Sequence, residues 1–104
     1  MDAFAVVAEP TRRRILDTLR ASERTVGELV DELSVSQPAM SKHLRVLREN
    51  GFVSCRIAAQ RRVYRVETAA LRSLDDWLEP YRRLWHRHLG ALERHLDTPT
   101  DSQE

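Results

Sequence analysis

The chain has 104 residues, of which 41% are hydrophobic and 32% charged, with a net charge of +1. That length suits a single compact domain, read here as residues 1–97, followed by a disordered polar tail over 98–104. A lone cysteine, Cys55, excludes an internal disulfide, and without a bilayer-length apolar run or a signal-peptide layout a cytoplasmic protein with no membrane partner is expected.

The first element is a short helix over Asp2 to Ala8, with Phe4 and Val7 spaced to face one way. "EPTRRRILDTLR" restarts a helix, since Pro10 suits a first turn and Ile15, Leu16 and Leu19 form an apolar stripe that "ASER" ends. In "TVGELVDEL", Thr25 and Glu28 have capping-box spacing, and Val26, Leu29, Val30 and Leu33 recur at helical intervals. After three residues, Ser36 can cap another helix, in whose first turn Pro38 removes no intrahelical bond. Met40, Leu44 and Leu47 share one face of it, Ser41, Lys42 and Arg45 share the other, and Asn50-Gly51 ends it.

"FVSCRI" and "RVYRV" alternate like strands around "AAQR" and predict a two-stranded hairpin with a basic tip. Val53, Cys55 and Ile57 share a strand face, which makes Cys55 a small hydrophobe. From Thr68 to Asp97 the pattern is helical, with Leu71, Leu74, Leu78, Tyr81, Trp85, Leu92 and Leu96 along a seam too long for so small a core. Pro80, with Asp76 and Glu79 as a restart signal, predicts a break within residues 75–80.

Charge is unevenly spread: residues 36–66 hold seven bases against Glu49 alone, a net +6, while the remainder holds ten bases against fifteen acids, a net −5. A basic third on a near-neutral body fits a face for a polyanion. The predicted fold class is mainly α with a small β-hairpin: two short helices joined by three residues, then a basic hairpin, make a winged helix-turn-helix. In that arrangement Ser41, Lys42 and Arg45 enter the major groove of double-stranded DNA, and Gln60, Arg61 and Arg62 reach an adjacent backbone or minor groove.

Over "AEPTRRRILDTL", "VGELVDELSVSQPAMSKHLRVLRENGFV" and "RRVYRV" the chain resembles the ArsR family of bacterial winged helix-turn-helix repressors, and "SQPAMSKHLRVLRENGFV" is very similar to that family's recognition-helix signature. The resemblance implies homodimers formed through the first and last helices, with Phe4, Val7, Tyr81, Trp85, Leu89, Leu92 and Leu96 as candidate interface residues. It also implies binding to an imperfect palindrome, repression of a nearby promoter, often the regulator's own, and Ser36, Gln37, Ser41, Lys42 and His43 at or near the DNA. Two departures stand out: Glu9 where the family commonly has Asp, and Ala58-Ala59-Gln60 where many members have a wing-tip Gly.

Many relatives release DNA on binding metal. The Cys-x-Cys of the arsenic and cadmium types is absent from "ELVDELSV", and Leu84 and Ala91 stand where last-helix zinc ligands would be. No metal and no cofactor is therefore expected, and the effector is unknown; a metal-responsive repressor using His86, His88 and His95 is the alternative reading, and a protein-binding winged helix a second. Trp77, Tyr81 and Trp85 read as core or interface rather than a ligand pocket. Arg12, Arg13 and Arg14 read either as phosphate contacts, which we favour for at least one, or as ion pairs with Glu9 and Asp17. An enzyme is not expected, because Ser41 and His43, two apart on a helix, diverge and lack a third orienting group.

Overall fold

The computed structural model describes residues 1–97, with side-chain surroundings through residue 91. The 98–104 tail and the side chains of Leu92, His95 and Leu96 lie outside the described residues. In chain order the elements are α1 (Ala3–Ala8), α2 (Pro10–Ala21), β1 (Arg24–Thr25), α3 (Val26–Leu33), α4 (Gln37–Glu49), β2 (Val53–Ala58), β3 (Arg61–Val66) and α5 (Ala69–Asp97). The three strands form an antiparallel sheet in the order β1-β3-β2. The hairpin thus gains a third strand, Arg24 pairing with Tyr64 and Thr25 with Val63. Two residues are too few for strand alternation to register in a sequence.

Each of the first four helices begins on a side-chain cap. Asp2 accepts from the Ala5 N–H at 2.8 Å, and Glu9 from the Arg12 N–H at 3.0 Å. Thr25 and Glu28 complete the reciprocal box, and Ser36 Oγ accepts from the Ala39 N–H at 3.3 Å. Glu9 therefore does the work of the shorter Asp. The end of α4 is equally defined: Gly51, at φ +80°, lets the Phe52 N–H reach the Leu47 carbonyl at 2.9 Å and its own N–H reach Arg48 at 3.2 Å. That reversal swings Phe52 into the core, where it is fully buried with Val6, Ile15, Leu29, Met40, Leu44 and Leu47.

The arginine triplet has backbone partners that neither sequence-based reading included. Arg12 donates to the carbonyls of Ala5 and Val6, and Arg13 to those of Val7 and Ala8, so the last four carbonyls of α1 all find a cation. Arg14 donates to the Leu33 carbonyl at the end of α3, at 3.0 Å. The Arg12 and Arg13 guanidiniums close the end of α1 because the chain turns at Glu9 and brings its carbonyls within reach, and Arg14 closes the end of α3.

At the wing tip Ala59 and Gln60 both have positive φ, 50° and 66°, as a two-residue turn between right-twisted strands demands. Neither is glycine, so both carry left-handed strain. Gln60→Gly is expected to raise stability by about 0.5 kcal/mol, the relief of that strain outweighing the lost chain entropy; an unchanged or lower denaturation midpoint would contradict it. Toward the tip the apolar face of β2 runs off the core: Val53 is buried, Cys55 packs half-buried against the core, and Ile57 is 75% exposed.

By their contacts the residues fall into two units, Met1–Leu74 and the segment from Asp75 onward. The expected break at 75–80 does not occur, since α5 is one helix with Pro80 inside. Arg82 explains how the interruption is tolerated: it pairs with Asp75 at 2.8 Å and Glu79 at 2.6 Å, tying the turns on both sides of the missing N–H. Pro80 is also exposed, so solvent can satisfy the carbonyl it frees.

Candidate nucleic-acid interface

The spacing of α4 separates its two functions. Met40, Leu44 and Leu47 anchor it to the core, which leaves Gln37, Ser41, Lys42, Arg45 and Arg48 exposed on its outer side. A groove of about 680 Å³ runs between that side and β3, lined by Gln37, Ser41, Arg45, Arg48, Arg62 and Tyr64, with Val26 and Glu49 at its margins. The structure therefore brings Gln37, Ser41 and Arg45 of the sequence-based set together with Arg62 of the wing.

The remaining members are placed differently. Ser36 is the cap of α4, and Lys42 is exposed on α4 without lining the groove. Gln60 and Arg61 sit at the wing tip, and Arg61 and Arg62 line a second cleft of about 520 Å³ with Thr25, Glu28 and Asp31 of the α3 start. His43 turns away, toward α2. Arg48 and Tyr64 were missed as groove residues. Arg48 was legible, because it lies seven residues after Ser41 and repeats its face. Tyr64 was not, because its place depends on its strand register opposite Cys55.

The charges are partly committed. Arg45 pairs with Glu49 at 3.1 Å, both well exposed, Arg56 with Glu23 at 2.6 Å, and Arg65 with Glu67 at 3.1 Å. Burial and the neighbouring Cys55 thiol push the Tyr64 phenol up against the opposing pull of Arg62, so it faces the groove as a neutral hydroxyl. The Arg56 hydrogen bond holds Glu23 below the ordinary carboxylate value; Ser54, then Arg65, does so for Glu67, and the Thr25 N–H for Glu28. For Glu9, desolvation pushes upward but is outweighed by the Arg12 N–H and the His43 charge. The unfolded chain thus binds protons to these groups more readily than the folded one. Their stabilisation is complete above about pH 4.5 and is lost as the pH falls below it. A melting temperature that stays flat from neutrality to pH 3 would contradict this.

Among the described residues, no three His, Cys, Asp or Glu side chains converge on a metal-sized site. His86 stacks loosely near Trp85, ring centroids 6.3 Å apart, and Trp77 lies 4.8 Å from Tyr81 on the same helix. Among these residues no helix is long and apolar enough to cross a membrane.

The comparisons agree with this geometry. Residues 9–54 match the family model described as "Bacterial regulatory protein, arsR family". The chain is 37% identical over 99 residues to the HTH-type transcriptional regulator Rv2034 of Mycobacterium tuberculosis, covering 95% of this chain and 90% of that one. It is 30% identical over 77 residues to the transcriptional repressor SdpR of Bacillus subtilis, covering 74% and 86%. A crystal structure described as a possible transcriptional regulator for arsenical resistance superposes with a TM-score of 0.71 at 38% identity, covering 78% of this chain and 84% of that one. The chain belongs to the ArsR family and is a winged helix-turn-helix transcriptional regulator.

Proposed function

We propose that the protein is a homodimeric repressor that binds a palindromic operator in double-stranded DNA, including one at its own promoter. The observation that carries the reading is the single groove in which Gln37, Ser41, Arg45 and Arg48 of α4 face Arg62 and Tyr64 of the wing. A helix whose inner face is anchored in the core and whose outer face carries hydroxyl, amide and guanidinium groups can read base edges. Arg61, Arg62 and Gln60 then hold the flanking backbone or minor groove. Dimerisation is supported by α5, which exposes Trp77, Leu78, Tyr81, Leu84, Trp85 and Leu89 on one side. Phe4 of α1, 42% exposed, and half-buried Val7 are the interface candidates of the first unit.

A gel-shift titration against the protein's own upstream DNA tests the reading, with two variants beside the wild type. Arg62→Ala is expected to weaken all duplexes by a similar factor, because it contacts the backbone. Ser41→Ala or Lys42→Ala is expected also to change which base is preferred. If every variant kept the wild-type base preference, α4 would not be the reading element.

A further inference from the structure

His43 lies within the recognition-helix signature, yet its side chain leaves the outer face of α4 and is only 20% exposed. Its Nδ1 lies 3.5 Å from Nη1 of Arg12 on α2 and 3.8 Å from Oε2 of Glu9, the N-cap of that helix. Arg12 uses its other donors on α1, Nε reaching the Val6 carbonyl at 2.8 Å and Nη2 the Ala5 carbonyl at 3.4 Å. Glu9 Oε2 in turn receives the Arg12 backbone N–H at 3.0 Å. Arg12 therefore joins the end of α1 to the middle of α4 through its guanidinium, and holds the Glu9 cap of α2 through its backbone N–H.

We propose that His43 is a positioning residue for DNA recognition: with Arg12 and Glu9 it fixes how α4 is presented, and it makes no contact with DNA itself. The proposal rests on the DNA-binding reading above. Arginine has donors only, so its contact with Nδ1 is a hydrogen bond only when that nitrogen carries a lone pair. In that arrangement the neutral ring carries its proton on Nε2, whereas a ring protonated on both nitrogens faces Glu9 Oε2 with Nδ1–H, 3.8 Å away. The apolar anchors Met40, Leu44 and Leu47 fix the depth of α4 but permit it to roll and slide, because dispersion contacts have little direction. A directional bond on the α2 side of the helix removes that freedom, and small displacements of a reading helix are costly because base contacts tolerate little misalignment.

The test combines His43→Leu, His43→Asn, Arg12→Met and the Leu/Met double variant. Fluorescence anisotropy would be read on a selected operator duplex and on a scrambled duplex across salt. His43→Leu is expected to weaken operator binding about tenfold, with the base preference and the salt slope unchanged. His43→Asn, whose amide oxygen can accept from Arg12, is expected to recover most of that loss, and the double variant to be no worse than Arg12→Met alone. Wild-type binding that His43→Leu leaves intact, a change of preference at one base pair, or losses that multiply in the double variant would each overturn the role. Should a variant fail to fold, the nitrogen-15 shifts of His43 in the DNA-free wild type decide the matter: a lone pair on Nδ1 in the neutral ring supports the node, and a proton there overturns it. A wild-type protein that binds no duplex would instead sink the underlying DNA-binding reading.

Discussion

Replacing Tyr81 and Trp85 together by glutamate is expected to give a folded monomer whose operator affinity is at least about a hundredfold below that of the wild type. The two side chains are 53% and 61% exposed, and among the described residues every buried core residue lies between Val6 and Tyr64, so the change removes nothing from that core. What it removes is the centre of an apolar stripe formed by Trp77, Leu78, Tyr81, Leu84, Trp85 and Leu89, positions that return to one side of α5 at helical spacing. A stripe of that extent exceeds the scattered exposed hydrophobics of an ordinary monomer surface. Burying it against a second copy would gain about 25 cal/mol per Å² of apolar area, whereas four carboxylates brought together there would repel. Once the dimer is lost, each half-site must be bound separately, and the effective-concentration advantage of a linked pair, about 10² to 10⁴, is lost with it. Sedimentation equilibrium and anisotropy on the same samples check both halves; a dimeric variant with unaltered affinity would remove α5 as the interface.

Salt is expected to act at least as strongly. If the dimer neutralises ~6 phosphates, the slope of log K against log salt is about −5, and affinity falls roughly a thousandfold between 50 and 200 mM. The structure bears on how many bases take part. Arg56 and Arg65 pair with Glu23 and Glu67, and Arg12, Arg13 and Arg14 donate to helix carbonyls; on the proposed reading, Lys42, Arg45, Arg48, Arg61 and Arg62 are the first candidates for phosphate and base contacts. Of these, Arg45 must first part from Glu49, an exposed pair worth little in water. A flat salt response would be incompatible with the basic face as the binding surface.

Most of the architecture was legible because local chemistry agreed with tertiary need. Ser36 and Pro38 marked the start of α4 before any contact was known, and the Thr25–Glu28 box marked α3, since capping depends only on residues a turn apart. The separation of Met40, Leu44 and Leu47 from Ser41, Lys42 and Arg45 was equally plain from helical period. What the sequence did not reveal depends on long-range reach. Arg12, Arg13 and Arg14 have carbonyl partners up to nineteen residues away, and no spacing rule anticipates them. His43 reads as a DNA contact from its motif, whereas its neighbours Glu9 and Arg12 are over thirty residues earlier. Pro80 suggested a break that ion pairs across it make unnecessary.

Selection of bound duplexes from a random pool by the wild-type protein tests the central claim most directly. The expected product is an enriched inverted repeat whose half-sites lie about one helical turn, or a multiple of it, apart, as a two-fold symmetric pair of α4 helices requires. Enrichment of a single unpaired half-site would contradict the dimeric reader, and a pool that shows no enrichment over rounds in which protein is retained on DNA would contradict sequence-specific recognition altogether.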